Sequence, residues 1–427
     1  MKRFTLFMIV LGIVFTSFGQ EQKEAPKYGI TFSGFVKNDF FYDTRQTVAA
    51  REGHFLLFPA AESLDEDGND INLNDNLNFL SIQSRLSGKI TGPDAFGAKT
   101  SGLLEVDLFA QANDNINLLR MRHAFIKLNW KNAELLLGQY WNPMFVTACF
   151  PGVVSFNTGA PIQPFARNPQ IRYTYKIGAL KMIAVAQTQR DYTSRGPDLS
   201  DFPDKFNKTA VSSSYLRNAA LPDMHLQLHY NAKIGEGSLL LGGGLAYKSL
   251  LPSLKTFNGF ANEETVSGLS FIGFMNIKTK PITIKFEGIL GQNICDVLSI
   301  GGFAAHELLD ADKMTLSYVP TNTMSGWMDM HTNGKKIQIG LFAGFTKNYG
   351  TNETVLYGPV YGLGTNIDQL IRIAPRLVFN SGKTRFAIEV EHTTAGFGTI
   401  DLMDHGRVKD AVEVSNLRIL IASYYFF

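Results

Sequence analysis

The chain reads as an all-β protein, a transmembrane antiparallel β-barrel of about sixteen strands. Three observations predict that class. Apolar and polar residues alternate with a period of two along most of the chain. The connectors between these segments are short and long in turn, which suits periplasmic turns on one rim and extracellular loops on the other. The one long apolar run lies at the amino end. A soluble sandwich or propeller could use the same hairpins, but it has no reason to sort its connectors by length.

Residues 1–19 have the layout of a cleaved secretory signal. Met1-Lys2-Arg3 is basic, Phe4 to Phe18 is apolar apart from Thr5, Gly12, Thr16 and Ser17, and Gln20 opens a charged stretch to Lys27. The apolar run is shorter than the roughly 20 residues of a membrane-spanning helix. No cysteine lies near the cleavage zone, which argues against a lipid anchor. Residues 20–28 then form a short periplasmic segment, and 29–427 form the barrel. Lys plus Arg number 40 against 38 Asp plus Glu. Loss of Lys2 and Arg3 balances the two, so no basic excess points to nucleic acid.

Alternation is clearest where one face is wholly apolar. Met224, Leu226, Leu228 and Tyr230 alternate with His225, Gln227, His229 and Asn231. Leu80, Ile82 and Leu86 oppose Ser81, Gln83, Arg85 and Ser87, and Phe386, Ile388 and Val390 oppose Arg385, Ala387, Glu389 and Glu391. The weakest segment is Thr321 to Met330. Short connectors include Lys131-Asn132, Gly178-Ala179 and Ser381-Gly382. Long ones include Asp43 to Asp75, Asn142 to Phe165, Thr193 to Pro222 and Ala395 to Ala411, while Asn113 to Ile116 is brief. Trp130, Tyr173, Tyr175, Tyr230, Tyr424 and Tyr425 fall near strand ends, where interfacial girdles belong. The final segment, LRILIASYYFF, is expected to pair with the first strand. Its Tyr425 and Phe427 resemble the aromatic signal read by the barrel assembly machinery of Gram-negative outer membranes.

Sixteen strands enclose more space than strand side chains fill, so a water-filled channel is the expected consequence. The segment Asn142 to Phe165 lacks any charged residue and carries Phe145, Phe150, Phe156 and Phe165 among several prolines. Such a loop is unsuited to water. It is expected to fold inward and narrow the channel, the alternative being packing against a neighbouring subunit. Strand parity sends Gln170, Arg172, Thr174 and Lys176 into the lumen, together with Arg85, Arg372, Arg376, Arg385 and Arg418. A row of guanidiniums suits carboxylates and phosphates, which would make an anion-preferring pore. The same arginines could equally pair with Glu105, Asp107, Glu287, Glu389 and Glu391, which share their parity.

Gly138-Gln139-Tyr140-Trp141, the apolar loop, and Arg167-Asn168-Pro169-Gln170-Ile171-Arg172-Tyr173 together resemble the DcaP-like porins, as does Arg120-Met121-Arg122-His123-Ala124-Phe125. The motifs span Arg120 to Tyr175; beyond them the likeness is one of architecture. The resemblance implies a homotrimeric sixteen-stranded outer-membrane channel for small, often negatively charged organic solutes. It makes Arg167 and Arg172 constriction candidates, with Arg122 and His123 beside them, although parity across Arg120 to Asn129 is ambiguous. Members of that family can carry a helical periplasmic segment before the barrel, and here few residues precede the strand near Gly29. Trimerisation would then rest on the barrel walls.

Other signals are weaker. Asp65, Asp67 and Asn69 alternate around a glycine turn as calcium ligands can, but Asn76 stands where an EF-hand loop needs glutamate, so a hydrated acidic loop among lipopolysaccharide is expected. Cys149 and Cys295 both fall on the long-loop side, where a disulfide could form. No nucleophile elbow, phosphate-binding loop or zinc spacing occurs. A barrel hydrolase of lipid or peptide, or a surface receptor or adhesin resting on the loops Asp43 to Asp75 and Thr193 to Pro222, remains the alternative to a porin. No cofactor is implied.

Overall fold

The computed structural model describes residues 28–198 and 208–427. The expected signal peptide lies outside the described residues. A closed sixteen-stranded antiparallel barrel is built from hairpins in chain order. Its strands begin with β1 (Gly29–Asp43), β2 (Asn76–Leu80 continued by Arg85–Thr91), β3 (Lys99–Asp107), β4 (Arg120–Asn129) and β5 (Ala133–Trp141). There follow β6 (Arg167–Ile177), β7 (Leu180–Gln187), β8 (Asp223–Ile234), β9 (Gly237–Leu250), β10 (Val266–Lys278) and β11 (Ile282–Gln292). The last five are β12 (Thr315–Thr332), β13 (Ile337–Thr351), β14 (Ile367–Ser381), β15 (Thr384–Asp401) and β16 (Arg407–Phe426). Closure joins β16 to β1 in a register from Phe35 opposite Phe426 to Asp43 opposite Arg418. Gly34 and Phe427 exchange backbone hydrogen bonds of 3.1 and 3.2 Å beyond it.

Burial is inverted relative to a soluble protein. In β1, Phe32 is 63% exposed and Asp43 is 0% exposed. Ile30, Val36 and Phe40 share the outer face, whereas Lys37, Asp39 and Phe41 face inward and are buried. Only hydrocarbon outside and a polar interior make that arrangement favourable, because exposed apolar surface in water costs roughly 25 cal/mol per Å². This is the fold of a multi-pass outer-membrane β-barrel.

The interior is packed by loops. Residues 142–166 leave β5, turn into the lumen and run along the opposite wall. Carbonyls of Pro143, Ala148 and Phe150 accept hydrogen bonds from Gln227 of β8, Asn276 of β10 and Lys285 of β11 at 2.7, 2.9 and 2.8 Å. Val154 then accepts from Lys37 of β1 at 3.0 Å. The Glu389 carboxylate of β15 takes the Val154 and Ser155 amides at 2.7 and 2.9 Å. Phe145, Phe156, Ile162 and Phe165 pack with Phe274, Trp327 and Phe342 of the wall and with Phe55, Phe58 and Phe109 from the first two loops. The inward course of the first loop has a sequence signal that the reading passed over: His54 to Pro59 is an apolar run, and Phe55–Pro59 pairs with Thr47–Ala50 as a wholly buried hairpin.

Several expectations need correction. The expected loop from Ala395 to Ala411 is mostly strand, paired from Ala395 opposite Val414 to Asp401 opposite Arg407 with a shift near Phe397. Above the membrane both faces meet water, so pairing continues after alternation stops. The weak segment Thr321 to Met330 is a strand as expected, lying inside one of 18 residues. Its outward residues are Asn322, Gly326 and three methionines, too polar, too small or too flexible to look like a lipid face. Tyr424 does not belong to the girdle: it lies opposite Lys37 on the inner face, while Tyr425 is outside. The ambiguous parity of β4 is a bulge. Glu105 pairs with His123 and Val106 with Met121, so Arg122 and His123 both turn inward against β3.

Candidate permeation pathway

Two arcs of charged side chains line the lumen at the level of the inward loop. On the first, β3, β4 and β6 supply Asp107, Arg120, Arg122 and Arg167. Arg120 holds Asp107 through Nε and Nη2 at 3.1 and 2.9 Å, a two-bond fork. Arg122 bridges Glu105 and Asp107, at 2.8 Å each. Arg167 grips Asp191 at 2.9 and 2.6 Å and lies over the rings of Trp141 and Phe165. Burial alone would lift the Asp191 carboxyl, but the Arg167 and Arg120 guanidiniums hold it below the ordinary carboxylate value. Asp191 sits in an irregular loop after β7, where no periodicity could have singled it out.

On the second arc, Arg418 forks onto Asp43 at 2.9 and 2.6 Å and also donates to the Gly53 carbonyl. Arg372 reaches Thr393 at 2.9 Å, the Leu57 carbonyl at 2.6 Å and Glu391 at 3.4 Å. Arg376 forks onto Asp329 at 2.7 and 3.1 Å. Arg167, Arg372 and Arg418 are thus among the largest fully buried side chains. Gln170 is buried as well, its amide bracing the Tyr140 and Trp141 carbonyls at 3.1 Å each. His123 is buried 3.9 Å from Glu105.

Among the proposed contact residues, Arg85 and Arg172 remain half-exposed. Arg85 lies over Phe35 with Glu105 3.6 Å away. Arg172 lies over Tyr140, and no described carboxylate pairs with it. Both point below the loop, toward the short-turn rim. Register places further bases on the same inner face: Lys127 of β4, Lys176 of β6 and Lys181 of β7, the last two directly opposite one another. Glu134 of β5 shares this zone and pairs with Lys127 at 3.2 Å. The lower lumen is therefore basic. The long-loop rim instead exposes Glu62, Glu66, Asp67, Glu263, Asp312 and Glu353.

The remaining candidates resolve differently. Asp65 accepts hydrogen bonds from the Asp67 and Asn69 amides at 2.9 and 2.8 Å, so its carboxylate caps a turn. Among the described residues no group of three or more His, Cys, Asp or Glu is arranged to hold a metal. Cys149 and Cys295 are both free and buried. Burial and the Glu287 carboxylate push the Cys149 thiol up to about 12.

A closed barrel with an apolar outer belt, a polar lumen and a loop laid across it is the architecture of outer-membrane porins. No family model matches the chain, nor does any curated protein. Solved structures do. The outer membrane channel DcaP of Acinetobacter baumannii superposes with a TM-score of 0.66 at 16% identity, covering 95% of this chain and 99% of that one. The anion-selective porin from Comamonas acidovorans gives 0.54 at 11%, covering 94% and 100%. OmpT of Vibrio cholerae in its trimer form gives 0.52 at 10%, covering 94% and 99%. At these identities the likeness is one of fold: this chain has a DcaP-like porin fold.

Proposed function

We propose that this protein is a diffusion porin for small hydrophilic solutes, leaning to anionic organic solutes such as carboxylates, with the loop 142–165 as its constriction. The observation that carries the preference is the basic lumen beneath that loop, where Lys127, Arg172, Lys176 and Lys181 share a face with, among the described residues, the single carboxylate Glu134, itself paired with Lys127. In a low-dielectric wall, unpaired fixed charges concentrate counter-ions and set selectivity. The description of the similarly folded Comamonas porin as anion-selective agrees with this reading. A homotrimer is the assembly we favour. The strands from β3 to β7 are short, 8 to 11 residues, and make a low wall suited to neighbours, and the similarly folded OmpT has a trimer form. The outward rings of Tyr425 and Phe427 suit recognition by barrel assembly machinery.

Reconstitution in planar bilayers tests the reading. Stepwise conductance is expected, with a reversal potential of anion sign in a potassium chloride gradient. Arg172→Ala should move that potential toward zero. Absence of steps would overturn the channel, and a cation sign would overturn the preference.

A further inference from the structure

A cavity of about 240 Å³ opens below the loop on the wall opposite Arg172. Phe150 and Val154 roof it, and Lys285, His331, Arg376, Arg385 and Tyr424 are among its walls. Its charge is one-sided. Lys285 donates to the Phe150 carbonyl at 2.8 Å and Arg385 to Asn380 Oδ1 at 2.8 Å; among the described residues neither is in an ion pair, although Asp329 stands directly across from Lys285 on β12. The carboxylates nearby are engaged by other partners. Asp329 is fully buried behind the Arg376 fork, where His331 also reaches it at 3.2 Å, and it does not line the cavity. Glu389 is spent on the Val154 and Ser155 amides. Asp39 is fully buried against Lys37 at 2.9 Å.

The backbone makes room for this arrangement. A Cβ at Gly340 would fall 2.5 Å from Arg376 Cζ, and one at Gly152 in the loop would fall 2.7 Å from its Nη2. Arg376 is thus clamped between wall and loop with its fork on Asp329. Lys285 and Arg385, each with one hydrogen bond to a neutral acceptor, keep further donors on either side. Rings lie beside both: Lys285 Nζ is 5.3 Å from the Phe150 centroid and Arg385 Cζ is 5.8 Å from that of Tyr424.

We propose that this cavity is a binding site for one small organic oxyanion, its carboxylate or phosphate head drawn to the basic wall that Lys285 and Arg385 supply and its apolar body against Phe150 or Tyr424. The volume is below the roughly 300 Å³ at which drug-sized pockets begin, so the occupant has about one ring or a short chain. The site deepens the porin reading and rests on it: it would hold a solute between the constriction and the periplasm.

The test is block of single-channel current by hexanoate and by phenyl phosphate, each added from the short-turn side. Wild-type channels should show concentration-dependent block by at least one probe. In Lys285→Gln/Arg385→Gln the half-blocking concentration should rise about tenfold or more, the loss of a charge-assisted contact. The conservative Lys285→Arg/Arg385→Lys should restore block. Heat-modifiable electrophoretic mobility shows that each variant has a folded barrel. Wild-type channels of anion sign that neither probe blocks, or equal block in the glutamine variant, would overturn the site and leave the porin reading standing. A wild-type channel without anion sign would fail that reading first.

Discussion

The lumen beside the inward loop and the lumen beneath it are lined by the same residue types and differ in how these are partnered. Beside the loop, guanidiniums are buried and forked onto carboxylates, as in Arg120–Asp107, Arg418–Asp43 and Arg376–Asp329. Beneath it, Arg172 and Lys181 are partly exposed and in no ion pair among the described residues, with Glu134 as their nearby carboxylate. The paired groups brace the barrel wall, and on the proposed function the zone beneath supplies the field that a solute meets. An arginine's position on a lumen-facing strand therefore does not say which of these jobs it does; its nearest carboxylate does.

The largest expected effect breaks the paired groups. Asp107→Asn removes the carboxylate that Arg120 and Arg122 share, leaving, among the described residues, only Asp191 at 3.7 Å and Glu105 at 2.8 Å to offset their buried charges, a loss of about 3 kcal/mol. The heat-modification midpoint on electrophoresis should fall clearly; an unchanged midpoint would mean the pairs do not hold the structure. Asp191→Asn is expected to act in the same direction through Arg167. Because the Asp191 carboxyl is held below its ordinary value, its stabilising contribution is present above the unfolded-state value and lost only as pH falls through the lower folded one. Wild-type loop packing should thus persist through the ordinary carboxylate range, as read by protease resistance in an acid series. Next comes Gly340→Val, whose side chain displaces Arg376 from Asp329; it should alter conductance while the barrel still folds. The smallest effects lie at the margins. Native Cys149, with its thiol near 12, should resist thiol reagents at neutral pH and react only after unfolding. Asp65→Ala should leave reversal potential unchanged, since that side chain only caps a surface turn.

Much of the frame was legible because lipid imposes a strict alternation. β8 could be read residue by residue, as Met224, Leu226 and Leu228 face outward and His225 and Gln227 are buried inside. Legibility failed where that constraint lapses. Past Ala395 the last hairpin rises into water and loses its pattern, though not its pairing. At Arg122–His123 one extra residue in the ladder switches the parity, which is why the sequence left it ambiguous there. The inward set Arg85, Arg172, Arg372, Arg376 and Arg418 followed from parity alone. Their division into buried pairs and open bases did not, because Asp43, Asp191 and Asp329 come from distant segments brought close only by closure of the barrel and folding of its loops.

The most direct measurement of whether the unpaired bases set selectivity is the zero-current potential of Arg172→Glu/Lys181→Glu beside that of the wild type, in one salt gradient. We predict an anion sign for the wild type and a shift toward, or past, zero for the variant. A cation sign in the wild type, or identical potentials in two folded, conducting channels, would contradict the account.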